Sequence, residues 1–240
     1  NKNRPTIINM EPLTGIAIIQ KKYLIDHFHE VEIQLSKSIS EMGQQLCSSP
    51  TEAYIVEDSF KICEGDFFIN LVKSLENNFK EYNDDDYNYI KLDRMLSHAK
   101  DRGSRVFKSK KYGNKIVLIE SNKSSVFSSM TKNSTLSIHE RRNFLEFIKV
   151  KDLESIANLV NNISLQDTHK NIKKIQTILV FGDNDFINEV ILLAKLIGVY
   201  RVVDHNYVFR RHTMEPLDGV HLVNEFSYPI SVLGSIASEL

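Results

Sequence analysis

The chain has 240 residues, with 30 basic and 31 acidic side chains and a formal net charge of −1. Hydrophobic residues make up 42% and charged residues 25%, which is typical of a globular protein with at least one sizeable domain. The charge balance predicts neither a nucleic-acid partner nor an anionic-membrane partner, and the sequence has no apolar run long enough to span a membrane.

The compartment is not predicted by the sequence. No secretory leader is visible, and because the sequence starts at Asn1 rather than Met we expect a trimmed chain. The two cysteines, Cys47 and Cys63, allow one disulfide at most. A lone thiol without a neighbouring histidine, such as Cys63, is predicted to be a small buried apolar side chain.

Residues 1–50 are predicted to be an N-terminal extension, or the remnant of a preceding domain. Residues 15–19 are apolar and predict a buried strand. A helical spacing of apolar residues over 32–45 predicts a helix, which ends before Pro50.

Residues 51–240 alternate between strand and helix patterns. The predicted strands are 53–57, 88–92, 115–120, 176–182 and 200–204, and the predicted helices are 66–80, 94–100, 137–149, 151–162, 185–197 and 224–240. Residues 108–113 are predicted to form a solvated loop. The alternation predicts an α/β domain with a mainly parallel sheet that helices cover on both faces.

Three polar segments of this domain have residue types suited to nucleophilic catalysis. Ser59 follows the strand 53–57, and Asp218 and His221 share a late loop, so a nucleophile, a base and an orienting acid are available. Asn122 follows the strand 115–120, where its amide would donate to a developing oxyanion. Each also has a simpler interpretation: Ser59 as a helix cap, and Asp218 and Asn122 as turn residues.

These segments resemble the SGNH (GDSL-type) hydrolase family, in the sequences Glu57-Asp58-Ser59, Glu120-Ser121-Asn122-Lys123 and Asp218-Gly219-Val220-His221. The first block lacks the family's glycine, and the asparagine block keeps only its asparagine. The resemblance implies a three-layer α/β/α sandwich of SGNH or flavodoxin-like type over residues 51–240.

The resemblance also implies a serine-dependent ester hydrolase or O-acyl transferase, acting on a small-molecule or glycan ester without a metal or organic cofactor. Ser59, Asp218 and His221 would be catalytic, with Gly103 and Asn122 in the oxyanion hole. Gly103 is an equally good helix C-cap. Gly182-Asp183-Asn184-Asp185 also spells the family's asparagine block, but we interpret it as a strand-to-helix turn in which Asn184 is the cap.

Two other functions are compatible with the sequence. A relative that keeps the SGNH fold without catalysis would be a binding or regulatory module. A metal-dependent phosphoesterase or nuclease would use the carboxylates of Asp58, Asp183 and Asp185 at strand ends. The sequence has no glycine-rich dinucleotide fingerprint and no Gly-Lys-Ser/Thr phosphate loop.

Overall fold

A computed structural model describes residues 14–44, 46–56, 64–80, 104–121, 142–166, 175–204 and 207–210, without the side chains of 64–65 and 162–166. All of these residues belong to one of the chain's two compact units, the one that spans Glu11–Arg210. No helix in this described part is long and apolar enough to cross a membrane.

The described residues form one mostly parallel sheet with helices between its strands. The strands are β1 (Thr14–Gln20), β2 (Pro50–Val56), β3 (Arg105–Ser109), β4 (Gly113–Ser121), β5 (Phe144–Val150), β6 (Ile175–Phe181) and β7 (Arg201–Asp204). The helices are α1 (Lys21–Asp26), α2 (Phe28–Ser40), α3 (Glu64–Asn77), α4 (Leu153–Gln166) and α5 (Asn184–Ile197). The strand order is β3-β4-β5-β2-β1-β6-β7, and only the β3–β4 pair is antiparallel. The predicted α/β class with a mainly parallel sheet is confirmed.

β1 is an interior strand of the sheet. It pairs with β2 on one side and with β6 on the other, so that Ile18 lies beside both Tyr54 and Val180. The predicted domain boundary at residue 50 stays a prediction, although β1 precedes that boundary and its two partners follow it.

Two apolar clusters lie on opposite sides of the sheet, because successive residues of a strand point to opposite faces. Ala17 and Ile19 of β1 belong to the first cluster, which includes residues of α2 and α3. Ile16 and Ile18 belong to the second, which includes residues of α4 and α5. The central strands are therefore buried on both sides, as parallel strands usually are.

The predicted helix over 137–149 is wrong, because residues 144–150 form strand β5. This strand lies between β4 and β2, is largely buried and has apolar residues on both faces, so the sequence lacks the polar–apolar alternation of a half-buried strand. The predicted loop at 108–113 contains the end of β3 and the turn to β4. Predicted elements at 88–92, 94–100 and 224–240 lie outside the described residues.

The buried carboxylate of Glu120, in β4, joins the neighbouring strands β3 and β5 through ion pairs. Arg105 of β3 and Lys149 of β5 both form ion pairs with it. Burial raises the pKa of Glu120, but the hydrogen bonds from Arg105 and Lys149 outweigh burial and hold that pKa below its usual value. A cation on each neighbouring strand thus stabilises a charge that burial alone would disfavour.

Phe147 of β5 is central to an aromatic group in the first cluster, with ring centroids 5.8 Å from Phe67 and 4.9 Å from Phe68. Because the side chain is fully buried, we expect Phe147→Ala to lower the free energy of unfolding by about 3–5 kcal/mol, the usual cost of such a cavity. Phe209→Ala, at an exposed phenylalanine, is the control and should cost less than about 1 kcal/mol. Urea unfolding followed by circular dichroism measures both, and equal losses would contradict the assignment of Phe147 to the core.

Candidate thiol site

The segment between α2 and β2 has an unusual backbone. Met42, Gly43 and Gln44 have φ angles of 47°, 61° and 63°, all in the left-handed region. Residues other than glycine rarely adopt this conformation, at a cost of roughly 1–2 kcal/mol each. Strain of this kind persists only where the surrounding structure enforces it, and it is concentrated at functional sites.

The side chain of Gln44 holds this strained turn against the sheet. Its Nε2 donates to the carbonyl oxygens of Pro50 and Phe144, each at 2.8 Å, and its Oε1 accepts from the backbone N–H of Phe144 at 3.0 Å. Because Pro50 and Phe144 begin β2 and β5, the buried amide joins the turn to the amino ends of two neighbouring strands.

The backbone of residues 46–49 rests directly on β1. A Cβ atom at Gly15 would lie 2.7 Å from the carbonyl oxygen of Ser48 and 2.8 Å from that of Ser49. Both distances are shorter than the closest contacts that Cβ atoms make with non-bonded atoms in proteins. A turn hydrogen bond of 2.9 Å from the N–H of Ser49 to the carbonyl of Leu46 closes the loop. Cys47 therefore lies in a loop that is fixed on both sides.

The Cys47 thiol is free and half-buried at this edge of the sheet. Its Sγ accepts a hydrogen bond of 3.0 Å from Nε2 of Gln176, a buried residue at the start of β6. The hydroxyl of Thr177 donates to Oε1 of the same amide at 3.2 Å, so both ends of the Gln176 amide have a partner. The loop thus presents a thiol with a fixed hydrogen-bond donor.

Two further polar atoms at the same edge lack partners. Within the described part of the chain, the buried Ser49 Oγ and Asn143 Oδ1 make no hydrogen bond. Ser49 precedes β2 and Asn143 precedes β5, and Asn143 has a φ of 49°. Unsatisfied buried polar groups are few in native proteins, so a cluster of strained and unsatisfied residues marks this edge as a candidate site.

The structure does not describe the residues of the predicted serine-hydrolase site. Ser59, Gly103, Asn122, Asp218 and His221 all lie outside the described residues, and their grouping stays a prediction. Sequence reasoning did not single out Cys47 as a candidate functional residue. The signals in its neighbourhood were weak: a glycine and two glutamines before it and two serines and a proline after it.

The predicted metal site at Asp183 is also corrected. Asp183 is the N-cap of α5: its Oδ1 accepts from the N–H of Phe186 at 2.9 Å, and its Oδ2 accepts from Nε2 of Gln20 at 3.0 Å. The cap is therefore Asp183, not the predicted Asn184. Among the described residues, no group of three or more potential ligands surrounds a metal position. Asp58 lies outside them.

Several solved structures have a similar fold. A P. syringae indole-3-acetaldehyde dehydrogenase, a cysteine-to-alanine mutant in complex with NAD+ and IAA, has 10% identity and a TM-score of 0.55, over 84% of this chain and 39% of that chain. Glyceraldehyde-3-phosphate dehydrogenase GapN from Methanocaldococcus jannaschii, complexed with NADP, has 14% identity and a TM-score of 0.52, over 85% and 41%. Aldehyde dehydrogenase 21 from Physcomitrella patens, in complex with the reaction product succinate, has 13% identity and a TM-score of 0.52, over 85% and 40%.

At these identities the likeness shows the fold alone, and the chain spans about two fifths of the length of those proteins: 39%, 41% and 40%. No protein-family model matches the sequence, and the search of curated proteins found no match. The predicted membership of the SGNH family is wrong, because the similar structures are aldehyde dehydrogenases. The same similarity to aldehyde dehydrogenases contradicts the predicted ester hydrolysis and the alternative of a non-catalytic SGNH relative.

The capping role of Asp183 predicts a specific pH dependence. The N–H of Phe186 and the amide of Gln20 hold the pKa of Asp183 below its usual value. The ionised cap therefore stabilises the fold at neutral pH, and this contribution disappears as the pH falls through the lowered pKa. We expect Asp183→Ala to lower the urea midpoint at pH 7, and the difference from wild type to shrink below about pH 4.

Asp183→Asn is the matched variant, because asparagine caps helices about as well without a titrating group. It should keep most of the stability at pH 7. A difference between wild type and Asp183→Ala that stays constant down to acid pH would contradict the ionised cap.

The close approach at Gly15 predicts an effect on Cys47. Because a Cβ there meets backbone atoms of Ser48 and Ser49, we expect Gly15→Ala to cost about 1–3 kcal/mol of stability, typical of overpacking, and to change the rate at which iodoacetamide alkylates Cys47. Gly113→Ala is the control: its φ is +58° but its Cβ meets nothing within 4 Å. It should cost about 1–2 kcal/mol through backbone strain and leave the alkylation rate unchanged. Equal rates in wild type and Gly15→Ala would show that the loop does not depend on this contact.

Proposed function

We propose that this chain provides the nucleophilic thiol of an oxidoreductase that acts on aldehydes, and that Cys47 is that thiol. The observation that carries the proposal is the position of Cys47 Sγ: half-buried in a fixed loop, with a buried amide donor at 3.0 Å. The similarity of fold to aldehyde dehydrogenases supports the choice of aldehydes as the substrate class.

The chemistry assigned to Cys47 is addition to a carbonyl group. Sulfur forms a bond to the carbonyl carbon, the carbon–oxygen π bond breaks, and the oxygen takes up the proton that the thiol has lost, which gives a thiohemiacetal. The Gln176 N–H stabilises negative charge on sulfur before the attack. The fixed loop restricts the thiol to a small range of positions, so that less entropy is lost when the substrate is attacked.

A nicotinamide dinucleotide, which would accept a hydride in such a reaction, does not fit the two described helix starts that follow β5 and β6. The N–H groups at these starts already bind carboxylates: Asp183 accepts from Phe186, and Asp152 accepts from Ser155 at 2.8 Å. The open side of Gly182 is filled as well, because a Cβ there would lie 2.3 Å from Cδ1 of the Phe186 ring. A pyrophosphate would meet negative charge and no glycine cradle at these turns.

We also infer that the two apolar clusters make the domain a three-layer α/β/α sandwich. The alternation of β1 residues between the clusters supports this arrangement, as does the division of the helices: α2 and α3 contribute to the first cluster, and α4 and α5 to the second.

Alkylation of the full chain tests the thiol assignment. We expect iodoacetamide to modify native Cys47 faster at pH 7 than the same residue in urea-unfolded chain, with peptide mass spectrometry separating it from Cys63. Propionaldehyde should slow this modification by occupying sulfur, whereas propan-1-ol should not. Cys47→Ser should remove the modified peptide.

Gln176→Leu tests the donor, because it removes the N–H groups at nearly constant volume. We expect it to slow alkylation about fivefold, the effect of one modest hydrogen bond. Gln34→Leu in α2 makes the same chemical change away from the thiol and should leave the rate unchanged. The proposal fails if native Cys47 reacts no faster than the unfolded thiol and propionaldehyde gives no protection.

A further inference from the structure

A cavity of about 240 Å³ lies between α3 and the β3–β4 hairpin, apart from the Cys47 loop. Its apolar wall is formed by Ile69 and Val72 of α3 and by Phe107 of β3. Its charged lining residues are Lys73, Glu76, Lys108 and Lys110. The cavity therefore combines an apolar wall with an excess of positively charged lining residues.

Several contacts join α3 to the β3–β4 hairpin, the two elements that line the cavity. The Ser109 hydroxyl donates to Glu76 and accepts from the backbone N–H groups of Lys111 at 3.0 Å and Tyr112 at 2.7 Å, which fastens the hairpin turn to α3. The ring of Phe107 stacks on Phe68 with centroids 4.6 Å apart. Because helix and hairpin are joined by these contacts, a ligand would bind with little rearrangement.

The charges of the cavity are unbalanced. Glu76 is its single acidic lining residue among the described residues, and that carboxylate already accepts from Ser109. In the described part of the chain, none of the three lysines has a carboxylate within ion-pair distance. An anionic group between these lysines would gain contacts that the protein itself does not supply.

We propose that this cavity binds an amphipathic monoanion: a carboxylate with an unbranched apolar tail. The tail lies against Ile69, Val72 and Phe107, and the carboxylate lies between Lys108, Lys110 and Lys73. This site is separate from the thiol chemistry of Cys47, and it holds or fails independently of it.

The size of the cavity limits the length of the tail. Its 240 Å³ is smaller than the roughly 300–1,000 Å³ of sites for drug-sized ligands, so it suits a short or medium chain rather than a long one. Octanoate is a suitable probe, because it carries one carboxylate on a seven-carbon chain.

Isothermal titration calorimetry on the full chain tests the proposal with three probes. Octanoate should bind, octanamide should bind at least about tenfold more weakly because it has the tail without the charge, and acetate should not bind because it has the charge without the tail. Raising the salt concentration should weaken the binding of octanoate but not of octanamide.

Two variants and a control locate the site. Lys108→Glu and Ile69→Asp should each raise the Kd for octanoate about tenfold or more, since both residues line the cavity and are exposed enough to change without unfolding the chain. Lys195→Glu in α5 makes the same charge change on an exposed residue elsewhere and should leave the Kd within about twofold.

Equal binding of octanoate and octanamide would overturn the proposal, because it would indicate an apolar contact surface without anion recognition. Absence of octanoate binding to wild type, or an unchanged Kd in Lys108→Glu, would overturn it as well.

Discussion

The buried amide of Gln44 is the contact that joins the strained turn to the sheet. Its three hydrogen bonds reach the first residues of β2 and β5 and leave neither its N–H groups nor its carbonyl oxygen without a partner. Met42 and Gln44 occupy a backbone region that costs roughly 1–2 kcal/mol for each residue other than glycine. These bonds from Gln44 offset the cost of the positive φ angles. They also fix the position at which the loop of residues 46–49 begins.

Two neighbouring features depend on that starting point. The loop of residues 46–49 closes against β1, where the absence of a side chain at Gly15 lets the carbonyl groups of Ser48 and Ser49 approach. Gln176 then meets Cys47 from the start of β6, on the far side of β1 from β2. The thiol is thus positioned by four strands whose amino ends share one edge, because β5, β2, β1 and β6 are parallel.

The sequence was sufficient for the elements whose signal is local. The predicted strand 176–182 contains an uninterrupted apolar run at 178–181, and 185–197 has an amphipathic pattern. The structure has β6 and α5 at those places. β5 escaped prediction because a strand buried on both faces has no alternation, and its apolar residues also fit a helical spacing. Short apolar runs are ambiguous until their neighbours in the sheet are known.

The candidate site was harder to predict than the fold, because its contacts join distant parts of the chain. Gln176 lies 129 residues from Cys47, and Gln44 lies 100 residues from Phe144. Neither pair has a sequence pattern of its own. The predicted nucleophile, Ser59, follows the carboxyl end of a strand in the sequence, whereas Cys47 precedes the amino end of β2. β2 connects this thiol loop at one end to the segment that leads to α3 at the other, and α3 forms one wall of the lysine-lined cavity. The two proposed sites thus involve different elements of one sheet: the amino ends of parallel strands for the thiol, and α3 with the β3–β4 hairpin for the anion.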